Sequence, residues 1–315
     1  MARLRPRIPA LLERPADAIG PAAQTPRKDR AALVSIASNA TLIVLKLFAG
    51  ALTGSIAIIT EAIHSAIDLA ASVIAYWSVR KADEPADESH LYGHEKAENV
   101  AAGIEGMLIL VGAGIIIYES ARRLFDPQPL DLLGVGLGVV AFSALTNVGV
   151  STYLYRRARQ TDSAALEADA AHLRTDAMTS TGVLLGLSLS ELTGNPIFDP
   201  ITALVVAAAI VIAGVRILNR SSRVLMDEAL PPEELEAVRA ALEGHAAAEL
   251  AGFHKLRARR AGSRRYVDLH VQFHAGTSLE RAHELSHELK QAIRDQVPRS
   301  DVLIHLEPAR EPVDG

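Results

Sequence analysis

The chain contains no cysteine. Disulfides and thiolate metal sites are therefore excluded, and any transition-metal site has to be built from His, Asp and Glu. The chain also lacks a large charge of either sign. Its formal net charge is −5 over 315 residues, which gives no electrostatic case for a nucleic-acid partner. The N-terminal segment lacks an uninterrupted apolar run. MARLRPRIPALLERPADAIGPAAQTPRKDR, with its basic start and several prolines, reads as a disordered cytoplasmic tail over residues 1–30 and not as a cleaved signal peptide.

What the chain does have is long apolar sequence, unevenly spread. Residues 31–222 hold nearly all of the long apolar runs, while residues 228–309 read as an ordinary soluble domain. A helix needs about 20 mainly apolar residues to cross a bilayer. Six segments qualify as candidates: Ala31–Ala51, Ile56–Val79, Ala97–Ser120, Leu130–Tyr153, Leu166–Leu192 and Pro200–Leu218. Arg and Lys gather before the first, between the second and third, and after the fourth. The connections LTGS and LTGNPIFD carry none. Arg122 and Arg123 are the exception, yet the balance places both termini in the cytoplasm.

The second and fifth segments are the most polar, and each repeats one spacing: His64 with Asp68, and His172 with Asp176. Residues four apart share a helix face. Each pair thus offers an imidazole nitrogen beside a carboxylate oxygen, and ionisable groups at membrane depth usually mark an ion pathway. Together the pairs supply four N/O ligands for Zn2+ or a similar cation. The plainer alternative is a His–Asp hydrogen bond within each helix.

Two further clusters stand outside the apolar runs. Asp87, His90 and His94 lie within eight residues in DEPADESHLYGHEKAEN, where Gly93 makes a turn as natural as a helix. A solvated acidic loop is the alternative there. The last domain orders its elements αββαβ, a small α+β sandwich. Its strands carry His254, His270, His305 and Glu307, and the alternation in RRYVDLHVQF puts His270 on the polar face. Scattered surface histidines are the competing reading. A helix in the same domain contains His283-Glu284-Leu285-Ser286-His287, which matches the HExxH pattern of zinc metalloproteases. Some eighty residues are few for a substrate cleft and a third ligand around that helix. A membrane metal sensor that does not transport is a further alternative.

The motifs HSAID, HLRTD, PADESHLYGHEKAEN, LMDEALP and LIHLEP, in that order, make the chain from Ala31 to Pro308 resemble the cation diffusion facilitator family, nearest its bacterial zinc and iron efflux branch. The resemblance implies a transporter and not an enzyme. It implies six transmembrane helices and a cytoplasmic ferredoxin-like domain, in a homodimer of the bacterial inner membrane that exchanges divalent metal for protons. His64, Asp68, His172 and Asp176 would then be the transport site, and Asp87, His90 and His94 a loop site. His254, His270, His283, His305 and Glu307 would bind metal between the small domains. Lys96 and Asp227 would pair near the membrane junction and hold the dimer. Some relatives have Asp at the position of His64. A second imidazole favours Zn2+, with Fe2+, Co2+, Cd2+ and Mn2+ behind it.

Overall fold

The computed structural model describes residues 28–53, 56–125, 134–245 and 247–309, without the side chains of 53, 56–61, 63, 64 and 134–136. Most of the expected tail, residues 1–27, lies outside the described residues.

Six long helices form the bundle: α1 (Lys28–Thr53), α2 (Ile56–Ala82), α3 (Ala97–Phe125), α4 (Gly134–Thr161), α5 (Ala164–Thr193) and α6 (Phe198–Leu225). Several outrun the apolar segments that announce them. α3 continues through Arg122 and Arg123, and α6 continues from Leu218 to Leu225. Hydropathy reports only the part inside hydrocarbon, whereas backbone hydrogen bonding carries a helix on into the polar boundary. Among the described residues, four helices are long and apolar enough to cross a membrane: α1, α3, α4 and α6. In α5 the apolar sequence is broken by Asp169, His172, Arg174 and Asp176.

The helices pack in pairs, α1 with α2, α3 with α6 and α4 with α5. Small residues let α3 and α6 meet closely. A Cβ on Gly106 would stand 3.2 Å from the backbone nitrogen of Leu218, and one on Gly214 would stand 2.9 Å from Leu110. Helices in lipid gain from this close backbone approach, because no hydrophobic force drives them together. Polar contacts tie α1, α2, α3 and α5 together. Ser72 on α2 bonds to Ser35 (3.0 Å) and Asn39 (2.9 Å) on α1, and donates to Asp169 on α5 (3.1 Å). Buried Glu98 on α3 accepts from Lys28 (2.9 Å) and from Ser163 (2.5 Å). Ser163 in turn caps α5 by accepting the Leu166 N–H.

The small domain runs α7 (Pro232–Glu243), β1 (Leu250–Ala261), β2 (Arg264–Phe273), α8 (Leu279–Gln296) and β3 (Ser300–Pro308). Proline suits the first turn of α7, where its missing N–H has no partner to lose. Ser278 caps α8 by accepting the Arg281 N–H. The sheet order is β1-β2-β3, with β1 antiparallel and β3 parallel to β2. Alternation along β2 sends Val267, Leu269, Val271 and Phe273 into a core with Leu285, Leu289 and Ile293 of α8 and Val238 of α7. Both helices therefore cover one sheet face, and the His-bearing face is left open.

The small domain sits against one end of the bundle. Tyr266 donates to the Tyr92 carbonyl (2.8 Å), Arg264 pairs with Glu95 (2.5 Å) and Arg265 with Asp162 (3.0 Å). The β1–β2 turn is pressed so near the α2–α3 loop that a Cβ on Gly262 would lie 2.7 Å from the Glu95 carbonyl oxygen. Its φ of +56° also favours glycine.

Candidate metal centres

Among the described residues, three groups of ligand-type side chains converge, each with its donor atoms within 4.8 Å of one another: Asp68, His172 and Asp176; Asp87, His90 and His94; and His254, His270 and Glu307.

The first group lies inside the bundle. His172 Nε2 stands 3.2 Å from Asp68 Oδ1 across the α2–α5 contact and 3.9 Å from Asp176 Oδ2 on its own helix. Asp68 and His172 are buried. The spacing of four thus does what it promises on α5, but the nearer carboxylate to His172 comes from α2. His64, the fourth member expected here, has its side chain outside the described residues. Asp68, His172 and Asp176 line a cavity of about 340 Å3, together with Ser65, Asn147 and Lys46. Lys46 is itself buried and donates to Ser65 (2.7 Å). One imidazole and two carboxylates with their donor atoms this close could hold a divalent cation, whose charge the carboxylates would balance.

Sequence reasoning missed two carboxylates nearby. Glu105 on α3 is fully buried and both of its oxygens lack a hydrogen-bond partner among the described residues. Asp169, also fully buried, lies one turn before His172 and is held by Ser72 through Oδ1. The signal was there for Glu105, the lone acidic residue in the middle of the third apolar run.

The second group forms in the α2–α3 loop, and it forms on a turn, not on a helix face. Asp87 Oδ1 accepts the backbone N–H groups of Ser89 (2.9 Å) and His90 (2.6 Å) and the Ser89 hydroxyl (2.8 Å). The Ser89 and His90 hydrogen bonds hold the Asp87 carboxyl well below the usual carboxylate range. Its other oxygen is 3.2 Å from His94 Nε2. His94 is buried, and neither of its ring nitrogens makes a hydrogen bond of good geometry among the described residues. Its ring packs 4.5 Å from that of His90.

The third group occupies the open face of the small sheet. The β1–β2 register sets His254 opposite His270, and the β2–β3 register sets His270 beside His305 and Gln272 beside Glu307. Glu307 contacts His254 Nε2 and accepts from His270 Nδ1 (3.2 Å). The His270 and His254 hydrogen bonds bring its pKa down to about 2. The His305 ring stacks 4.6 Å from His270. His283 does not join this group within one chain. It lies on α8, beyond the sheet from the open face, and its Nε2 is 3.2 Å from that of His287. Among the described residues no third ligand joins His283 and His287, and Glu284 is engaged by Arg281 at 3.1 Å. The HExxH match therefore lacks the third ligand of a protease centre.

Lys96 and Asp227, expected as a pair, meet at 2.8 Å within one chain, and Arg259 joins them at 2.7 Å. Both cations hold the Asp227 carboxyl below its ordinary range, Lys96 first.

A helical membrane bundle with a buried N/O ligand set, joined to a small α+β domain with its own His-rich face, defines a metal-handling integral membrane protein. Residues 32–226 match the cation efflux transmembrane domain, and residues 230–309 match the cytoplasmic domain of cation efflux proteins. The chain belongs to the cation efflux, or cation diffusion facilitator, family of transporters, and it is not an enzyme. It is 35% identical over 281 residues to an uncharacterized transporter of Synechocystis sp., covering 89% of this chain and 90% of that one. It is 32% identical over 280 residues to the cation-efflux pump FieF of Klebsiella pneumoniae, covering 89% and 92%. A solved structure concerned with the mode of action of a candidate zinc transporter, CzrB, in its zinc form, is 38% identical. It covers 27% of this chain and 98% of that one, with a TM-score of 0.26.

Proposed function

We propose that this protein is a divalent-cation exporter, with zinc as its main substrate, that exchanges metal for protons by alternating access. All six long helices span the inner membrane of a bacterial cell, both termini are cytoplasmic, and the small domain is a ferredoxin-like metal sensor that pairs with its copy in a homodimer. The observation that supports this most is the convergence of Asp68 of α2 with His172 and Asp176 of α5 on one cavity in the bundle.

Facing the cytoplasm, the carboxylates and the neutral imidazoles of His172 and His64 take a metal ion as substrate. When the site faces outward, a proton competes for the imidazole nitrogen, because metal binding needs the deprotonated ligand. An imidazole-containing donor set suits zinc better than iron or manganese; cobalt and cadmium are further candidate substrates. In the small domain His254, His270, His305 and Glu307 would take metal on the open sheet face, and His283 would reach it only from the second protomer. That bridging would raise the population of transport-competent dimers. Lys96 and Asp227 would hold each small domain to its bundle, and so hold the dimer.

The test is zinc flux into proteoliposomes under an imposed pH gradient, comparing wild type with Asp68→Ala. Gradient-driven flux that the substitution removes supports the reading. Zinc binding with no flux in the wild type would overturn it in favour of a sensor.

A further inference from the structure

The stripe of α6 that faces the small domain changes character part-way along. Ile212, Arg216, Arg220 and Arg223 follow one another at spacings of four, four and three, so they lie on one helix face. Ile212, with Val211 and Val215, lies on the membrane side of that stripe; the arginines lie towards the small domain. This face lines a cleft of about 940 Å3, closed on the other side by the segment from Glu228 to Pro232 and by Arg260.

The arginines are unequally neutralised. Arg220 is gripped by both oxygens of Glu167 (2.5 and 2.6 Å), Arg223 pairs with Glu228 (3.0 Å), and Arg260 pairs with Glu234 (3.0 Å), which it shares with Arg265. Arg216 has no carboxylate within 4.0 Å among the described residues. Arg260 Nε is buried without a hydrogen-bond partner. Four guanidinium groups thus face three carboxylates, and the excess charge sits on Arg216, at the boundary between the apolar and basic parts of the cleft.

We propose that this cleft binds an anionic phospholipid of the leaflet on the small-domain side. Its phosphate would sit on Arg216 and reach towards Arg260, with an acyl chain along Val211, Ile212 and Val215. A guanidinium matches a phosphodiester in bidentate geometry, and basic pockets beside membrane helices take anionic headgroups for this reason. A soluble phosphate would satisfy the arginines but leave the apolar wall uncovered. The apolar wall belongs to a helix long and apolar enough to cross the membrane, which favours a lipid as the occupant. Such a lipid would also brace the joint where α6 leads into the small domain.

The test is native mass spectrometry of the full chain purified in detergent. The protein is supplied with equimolar phosphatidylglycerol and phosphatidylcholine of identical acyl chains. Retention of phosphatidylglycerol should be favoured about fivefold, the ratio given by about 1 kcal/mol per arginine near a membrane surface. Arg216→Gln should bring the ratio close to one with zinc binding unchanged, and Arg216→Lys should keep most of the preference. A wild-type ratio near one, or an undiminished ratio in Arg216→Gln, would overturn the proposal. Displacement of the lipid by inorganic phosphate would also overturn it, by showing a site for a soluble anion.

Discussion

The imidazole of His172 on α5 stands 3.2 Å from the carboxylate of Asp68 on α2, nearer than to Asp176 on its own helix. The contact crosses between two helices, so any movement of α2 against α5 changes the ligand set itself. A site assembled this way can be opened by a rigid-body shift, without melting either helix.

Asp68→Asn keeps the size of the side chain and a hydrogen-bond acceptor for His172 while removing the charge. Zinc affinity of the bundle should fall by roughly tenfold to hundredfold or more, the range found when even a supporting carboxylate is lost. Isothermal titration of a variant that also lacks the loop and small-domain ligands measures this directly. Unchanged affinity would remove Asp68 from the site.

In the α2–α3 loop, Asp87 holds a turn with one oxygen and faces His94 with the other. Asp87→Asn should leave the turn intact, since the amide oxygen still accepts the Ser89 and His90 N–H groups, yet weaken metal binding there. Asp87→Ala should loosen the turn and weaken metal binding as well. Zinc binding to the two variants, compared with proteolysis of the loop, separates the roles.

Asp227 lies in the left-handed region (φ +59°) and answers both Lys96 and Arg259. Because its carboxyl is held below its unfolded value, this junction stabilises the protein above the unfolded carboxylate pKa of about 3.9 and loses that contribution as pH falls through the lower folded value. Asp227→Asn should flatten this acid limb in a Tm-against-pH series. Asp227→Ala should be less stable than Asp227→Asn by about 1 kcal/mol, the backbone cost of the left-handed conformation for residues other than Gly, Asn and Asp.

Glu105 is a buried carboxyl group with neither oxygen hydrogen-bonded among the described residues. A buried unsatisfied polar group costs about 1–3 kcal/mol, so Glu105→Met should raise the stability of the bundle by up to that amount. On the proposed function, so costly a group would serve transport. Flux should therefore drop in the same variant, and a stabilised variant with full flux would make the residue dispensable.

In the small domain Glu307 is already ionised down to about pH 2, so its protonation does not enter the metal-binding equilibrium at ordinary pH. Glu307→Gln should therefore lower the zinc affinity of the sheet face at neutral pH, as isothermal titration would measure. Unchanged affinity would remove Glu307 from the site.

Most of the bundle was legible because a membrane span writes itself as a continuous apolar run, and two His-xxx-Asp spacings stand out against it. Helix ends were less legible, since hydropathy falls off before hydrogen bonding does, as in α6 beyond Leu218. Contacts between distant segments left no local trace. Lys28 with Glu98, Ser72 with Asp169 and Arg220 with Glu167 are each ordinary polar residues until the helices are brought together. His283 shows the converse. The family resemblance sets it with His254 and His270 in a site between two small domains, and within one chain the sheet stands between them.

At Gly262 the hairpin of the small domain meets the Glu95 peptide with less clearance than one methyl group. A joint seated that tightly behaves as a pivot pin. The small domain cannot tilt about it without dragging the segment from Tyr92 to Lys96, and that segment leads into α3 and carries His94. Rotation of the hairpin is thereby geared to the mouth of the bundle, and Gly262→Ala would strip the gear while leaving both of the parts it connects whole.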